Sequence, residues 1–176
     1  KSRAEEVRNQ CRGYVQQYRF KKAILEAKRG LAECETKPGR EAFKVLIERY
    51  ERLQKLKEFL VNQLNTNPVP WIWGSGASAE DVKEASEYEI RLQKESVKWE
   101  AVSVAQFLKF INAYTKHRDV RLRQQCTQLL AAAIFCQEFG SEKAKEAAHT
   151  FSNRAVAICD DLKDEVQRLL EGERFF

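Results

Sequence analysis

The sequence predicts a mainly α protein of antiparallel helical hairpins, with a small β-hairpin or sheet insert around residues 69–101. Three observations support this fold class. Apolar residues recur at helical spacing over most of the chain. Polar and apolar residues instead alternate one by one in EYEIRLQKESVKWEAVS, residues 87–103. Only seven Gly and three Pro occur in 176 residues, as is typical of long helices. We expect a single domain, with N-terminal helices in 1–67, a β-containing insert in 68–102 and C-terminal helices in 103–176.

The first two helices are predicted over about residues 3–17 and 19–35. Each has an apolar face, and the link between them is short, so the two helices should pack antiparallel. Their close approach is permitted by small residues on the facing sides, namely Cys11, Ala23, Ala27 and Gly30.

The segment ETKPGRE is expected to end this hairpin. Pro38 lacks an amide donor and Gly39 has a freely turning backbone, so both residues should stop a helix. A third helix with a long apolar stripe is then predicted over about 40–65, and Pro68 and Pro70 forbid its continuation.

An apolar segment without helical period follows the third helix. It contains Val69, Trp71, Ile72 and Trp73. We expect this segment to be buried against the third helix, because exposed tryptophans are costly in water. The alternative is an exposed binding patch.

The alternating stretch predicts a β-hairpin with Lys94 and Glu95 as a two-residue turn. The resulting pairs are Leu92–Val97, Ile90–Trp99 and Tyr88–Ala101, all apolar and all on one face. A slip of one residue would oppose apolar to polar groups. An isolated hairpin is marginal, so its apolar face should lie on the helices, with a further strand from 69–85. The alternative interpretation is a helix over 80–93.

A fourth helix is predicted over about 104–116, where Ser103 and Gln106 have the spacing of a capping box. A fifth helix, over about 119–139, should end at Gly140.

A sixth helix should begin at Ser141, and Asp160 or Asp161 should precede a last one. The apolar pattern places Leu122 of the fifth helix and Ile158 of the sixth in the core.

The five cysteines are expected to be buried thiols, since their spacings form no CxxC pair. Cys126 and Cys136 lie too far apart along one helix to bond each other. A metal site of Cys136, His149 and Cys159 lacks ligand spacing and a fourth ligand, so we expect no metal and no cofactor. Neither histidine has a nucleophile or acid partner in sequence, and no catalytic residues are predicted.

The first hairpin resembles helix-turn-helix repeats of the tetratricopeptide type, on the spacing of Val7, Cys11, Tyr14, Phe20, Ala23 and Gly30. Further similarity rests on the segments FKKAILEAKRGL, YERLQKLKEFLVNQLN, ESVKWEAVS and AAAIFCQEFGSEKAKEAA. From about residue 20 onward, the chain resembles tetratricopeptide-like C-terminal regions of exported, often membrane-anchored proteins from verrucomicrobial and planctomycete-type bacteria. This resemblance implies a location in the periplasm or cell envelope and a binding or scaffold role; the cytoplasm is the alternative.

The expected function is a non-catalytic protein–protein interaction or scaffold domain within a larger exported or membrane-anchored protein. The partner would be another protein or a neighbouring domain, and no small-molecule substrate is identified. Aromatic anchors would carry the binding, with the candidates Tyr14, Tyr18, Trp71, Trp73 and Trp99. Core packing is the alternative for each, and it is favoured more for Trp99 than for Trp71.

Two other functions stay open, an uncharacterised enzyme and a helical domain that binds nucleic acid through basic helix faces. The net charge is +5, but the signs are interleaved, which disfavours a nucleic-acid surface. Two basic runs could contact phosphate: Arg19, Lys21, Lys22, Lys28 and Arg29, and then Lys116, His117, Arg118, Arg121 and Arg123.

The chain begins with Lys1 and contains no Met, so we expect a fragment or a processed product of a longer protein. It contains no apolar run near the roughly 20 residues that span a bilayer. A signal peptide or an anchor would lie outside it.

Overall fold

The computed structural model describes residues 3–117 and 120–171. Within them the protein is mainly helical, with a three-stranded antiparallel sheet inserted between the third and fourth α-helices. The helices are α1 (Arg3–Gln16), α2 (Phe20–Glu33), α3 (Lys37–Thr66), α4 (Val104–Tyr114), α5 (Leu122–Phe139), α6 (Glu142–Ile158) and α7 (Lys163–Glu171). The strands are β1 (Glu84–Ala85), β2 (Glu89–Arg91) and β3 (Ser96–Lys98). The predicted fold class, mainly α with a small β insert, is confirmed.

Helix α3 begins earlier than predicted, and Pro38 and Gly39 lie in its first turn. The Thr36 hydroxyl caps the helix by accepting a hydrogen bond from the Gly39 amide at 3.3 Å. Proline is tolerated in a first turn, where a backbone amide has no partner within the helix. The prediction that these two residues stop a helix is therefore wrong, because they open α3.

The β-hairpin forms, but the predicted pairs are wrong by two residues. Ile90 pairs with Val97, and the loop between the strands has four residues, closed by a 2.8 Å hydrogen bond from the Leu92 amide to the Glu95 carbonyl. A two-residue shift preserves which face each side chain occupies, so Ile90 and Leu92 are still buried. Tyr88, at the end of the hairpin, is instead 79 % exposed.

The further strand expected from residues 69–85 is present as β1. Ala85 pairs with Ile90, and the strand order is β1-β2-β3. The side-chain amide of Asn65 in α3 exchanges two hydrogen bonds of 2.8 Å with the backbone of Ala85. The sheet is thereby joined to α3, and the alternative of a helix over 80–93 is excluded.

Helix α5 lies at the centre of the fold, and its residues Leu129 to Cys136 are all buried. Leu122 at its first turn and Ile158 at the end of α6 are exposed by 65 % and 40 %, so the prediction that they lie in the core is wrong. Both residues lie at helix ends, where no neighbouring helix or strand of the described ranges covers the apolar face of the helix.

A disulfide joins Cys126 of α5 to Cys159, with Cα atoms 6.2 Å apart. Cys126 is near the start of α5 and Cys159 follows the end of α6, so these helices form an antiparallel hairpin. The expectation of five free thiols is wrong for this pair, because only the packing of α5 on α6 brings the two sulfurs together. Because Cys159 is in the disulfide, it is not available as a thiolate ligand for the conceivable metal site with Cys136 and His149.

Helix α7 is attached to α3 and α5 through a buried ion pair. The Arg49 guanidinium contacts the Glu138 carboxylate at 2.6 Å, and both side chains are at most 5 % exposed. Arg49 also donates to the Leu169 carbonyl of α7 at 2.5 Å and to Gln137 Oε1 at 3.1 Å. One guanidinium therefore joins three helices.

Candidate protein-binding site

The segment from Pro68 to Asp81 connects α3 to the sheet. Side chains of α4 form hydrogen bonds with the backbone of this segment. Gln106 of α4 donates to the Ile72 carbonyl at 2.9 Å and accepts from the Gly74 amide at 2.8 Å. Ser103 caps α4 as predicted, by accepting from the Gln106 amide at 3.1 Å. The Gln106 side chain does not complete the predicted capping box, because it binds this segment instead.

The backbone of Trp71 is held by hydrogen bonds with the side chains of Asp81 and Lys109. The Asp81 carboxylate accepts from the Trp71 amide at 2.8 Å, and the Lys109 ammonium donates to the Trp71 carbonyl at 3.1 Å and to the Gly74 carbonyl at 2.7 Å. The Trp71 side chain remains 65 % exposed. The segment thus presents one large aromatic ring on a braced backbone.

Trp71 and Tyr18 are the two non-glycine residues with a left-handed backbone among the described residues, with φ values of 56° and 57°. This conformation is costly for a bulky side chain. For Tyr18 the core supplies the compensation: its ring is 2 % exposed and its hydroxyl donates to the Val102 carbonyl at 3.0 Å. No comparable burial compensates Trp71.

The five predicted anchors differ in how far their side chains are exposed to solvent. Tyr18 and Trp99 are buried, each 2 % exposed, and the Trp99 indole donates to the Ser86 carbonyl at 2.8 Å. Tyr14 and Trp73 are half-buried, with the Trp73 ring 6.2 Å from that of Phe110. Trp71 alone among the five is largely exposed.

The expectation that the apolar segment is buried is therefore partly wrong. Ile72 is buried, and Val69 and Trp73 pack against the core, but Trp71 points outward. Trp71, which has the left-handed backbone, is exposed although its neighbour Ile72 is buried. The predicted preference for a core role in Trp99 over Trp71 is confirmed.

Lys57 of α3 is a buried cation that the sequence analysis did not single out. Its ammonium donates to the carbonyls of Tyr18 at 3.2 Å and Glu87 at 2.8 Å, and it lies 5.2 Å from the Trp99 ring centroid. Burial lowers the pKa of Lys57 to about 8. Its position one turn after Leu53 on the apolar stripe of α3 could have indicated burial.

The basic run on α2 is largely paired with carboxylates. Four of its five cations form ion pairs within 3.4 Å, namely Arg19–Glu100, Lys21–Glu87, Lys28–Glu51 and Arg29–Glu33. In the second run, Arg123 pairs with Asp161 at 2.6 Å. Arg118 lies outside the described residues. These pairings reduce the positive charge available to phosphate.

No protein family model, no curated protein and no solved structure matches this chain. Across residues 3–117 and 120–171, no helix has both the length and the apolarity to cross a membrane. The same residues contain no group of three or more His, Cys, Asp or Glu side chains that could hold a metal ion.

Proposed function

We propose that this domain is a non-catalytic protein-interaction or scaffold module, in which Trp71 is the main anchor for a partner protein. The observation that carries the proposal is the combination of exposure and backbone strain at one residue. Glycine would adopt φ of 56° without a steric cost, so the backbone does not favour tryptophan there. The indole also gains little from the core, since it is 65 % exposed.

The bracing of the segment supports a binding role further. Hydrogen bonds donated to Asp81 and donated by Gln106 and Lys109 hold the backbone on both sides of Trp71 before any partner arrives. A preorganised anchor loses little conformational entropy on binding, and tryptophan is enriched among residues that dominate binding energy. The other four aromatic candidates are buried or half-buried, so they are less available to a partner.

We further propose that the domain belongs to a larger exported or membrane-anchored protein of the cell envelope, as the resemblance to tetratricopeptide-like regions implies. The disulfide between Cys126 and Cys159 supports this location, because disulfides persist in oxidising compartments. The ion pairs along α2 make the alternative, nucleic-acid binding, less favoured.

The test compares Trp71→Gly and Trp71→Ala with the unmodified domain. The free energy of unfolding, measured by thermal denaturation, should change by less than about 1 kcal/mol in both variants. Trp71→Gly should be the more stable of the two, because glycine adopts the left-handed backbone without strain. Capture of partners from cell-envelope extract should fall at least about tenfold in both variants, since loss of an aromatic anchor typically costs about 2 kcal/mol.

Tyr88→Ala is the matched control, because Tyr88 is an exposed aromatic residue on the β insert and not part of the braced segment. It should leave capture unchanged. A photo-reactive residue at position 71 should crosslink to the captured partner. A photo-reactive residue at position 88 should not crosslink to that partner. A large loss of stability in Trp71→Gly would show that Trp71 serves the core, and equal capture by all variants would refute the proposal.

A further inference from the structure

The two outer edges of the sheet differ, because the edge at β1 is closed and the edge at β3 is open. Residues of an antiparallel strand point their backbone groups alternately toward one neighbour and the other. Ala85 of β1 points these groups away from β2, where the Asn65 side chain exchanges two hydrogen bonds of 2.8 Å with them. The amide of Asn65 thus takes the place of a neighbouring strand at this edge.

At the opposite edge, two residues of β3 direct their backbone groups outward. The Leu92 amide donates to the Glu95 carbonyl across the hairpin, so the next residue of this strand that hydrogen-bonds to β2 is Val97. Ser96 and Lys98, on either side of it, therefore point their N–H and C=O groups away from the sheet. Across residues 3–117 and 120–171, nothing hydrogen-bonds to these four groups, and both residues are exposed.

The side chain between these two residues indicates one property of a strand that would fit the open edge. Val97 lies on the face of the sheet that carries the buried Ile90, and it packs against the core while remaining only half-buried. An apolar side chain on an added strand would lie opposite Val97 and cover more of it.

The charge of Lys98 narrows the chemistry of that strand further. A lysine on an edge strand disfavours pairing with most other strands. Glu89 is the neighbour of Lys98 in β2, but Lys98 forms no ion pair with it or with any other described residue. A strand that places a carboxylate opposite Lys98 would supply the missing partner, since opposite charges across a sheet are stabilising.

We propose that the open edge of β3 binds an extended peptide segment of a partner protein, as a fourth antiparallel strand with a carboxylate opposite Lys98. Ser96 and Lys98 each donate one backbone hydrogen bond to this segment and accept one from it. The residue of the segment opposite Val97 is apolar. A second copy of β3 is a poorer occupant, because the Lys98 side chains of the two copies would be diagonal neighbours about 7–8 Å apart.

Amide signals and amide hydrogen exchange of the ¹⁵N-labelled domain, followed during titration with the peptide acetyl-Thr-Val-Glu-Val-Thr-amide, test this proposal. The amides of Ser96 and Lys98 face solvent in the free domain, so they should become protected from exchange, with shifts that saturate at millimolar peptide. The Val97 amide already donates to β2 and should gain less protection. The same peptide with Lys in place of Glu should bind about fivefold more weakly, because it opposes like charges.

Two substitutions at Lys98 separate its backbone from its charge. Lys98→Pro removes the outward N–H, and it should abolish peptide binding and leave Tm unchanged, because Lys98 already has the φ of −67° that proline requires. Lys98→Ala keeps the N–H and removes the ammonium group, so it should bind the Glu and Lys peptides equally. Trp71→Gly is the control for the separate surface at Trp71, and it should bind the Glu peptide as the unmodified domain does.

Three results would overturn the proposal. The first is the absence of saturable changes at Ser96 and Lys98 with millimolar Glu peptide. The second is equal affinity of the unmodified domain for the two peptides, a comparison that stands even if Lys98→Pro fails to fold. The third is protection of the same two amides that rises with protein concentration in the absence of peptide, which would show that a second copy of the chain occupies the edge.

Discussion

Replacement of Gly30 by alanine tests the packing of α2 against Phe43 of α3 and Val7 of α1. A Cβ atom at Gly30 would lie 2.5 Å and 2.6 Å from Cε1 and Cζ of the Phe43 ring and 2.9 Å from Cγ1 of Val7. Phe43 and Val7 are both 2 % exposed, so neither can move into solvent. Gly13 in α1 is the matched control, because a Cβ there has no neighbour within 4 Å.

The two substitutions share the same gain in helix propensity and differ in packing. Glycine to alanine in a helix is worth about 1 kcal/mol. Overpacking of a core costs about 1–3 kcal/mol, and two contacts well under 3.0 Å place Gly30→Ala toward the upper end. We therefore expect Gly30→Ala to lose about 1–2 kcal/mol and Gly13→Ala to gain about 0.5–1 kcal/mol.

The free energy of unfolding in denaturant, measured with the disulfide intact, is the appropriate assay. The two variants should differ by about 1.5–3 kcal/mol, which corresponds to roughly 3–12 °C in Tm for a domain of this size. If Gly30→Ala is as stable as Gly13→Ala, the Phe43 ring yields without cost. The close approach of α2 and α3 would then not depend on the absent side chain.

Three further perturbations follow from buried groups. Arg49→Met should cost about 3–5 kcal/mol, because it leaves the Glu138 carboxylate buried without its cation, and the double variant with Glu138→Leu should recover most of that loss in a denaturant titration. Between about pH 8 and the ordinary lysine pKa of about 10.4, the unfolded chain binds more protons than the native state at Lys57, so this group raises stability as pH rises through that window. The free energy of unfolding of the wild type, relative to that of Lys57→Met, should rise by about 2 kcal/mol between these two pH values. The contributions of all other titratable groups cancel in this comparison, so a difference that stays constant with pH would contradict the lowered pKa of Lys57. Reduction of the disulfide between Cys126 and Cys159, which are separated by 33 positions, should cost about 3–4 kcal/mol, or about 10 °C in calorimetry, while a double serine variant should not respond to reductant.

The candidate site was predictable only in part. The proline-bounded segment around Trp71 stood out because its apolar residues have no helical period, and that signal is local. Whether the indole faces water depends on the left-handed backbone at Trp71 and on hydrogen bonds from Gln106 and Lys109, which are more than 30 positions away. No pattern within the segment encodes those partners.

The hairpin shows the same division. Alternation specified which side chains face the helices, since a side chain keeps its face under a shift of two residues. It did not specify the register, because pairings two residues apart bury the same set of faces. The four-residue loop that closes with the Leu92–Glu95 hydrogen bond decided between them.

The sequence by itself determined the mainly helical fold class, the capping of α4 and α6 by Ser103 and Ser141, and the end of α5 at the left-handed Gly140. These features depend on residues within a few positions of one another, and local sterics and hydrogen bonding are sufficient to specify them. Only the tertiary structure decided the disulfide and the buried ion pair of Arg49 with Glu138. Each of these joins groups that are 33 or more positions apart, and their meeting depends on how whole helices pack.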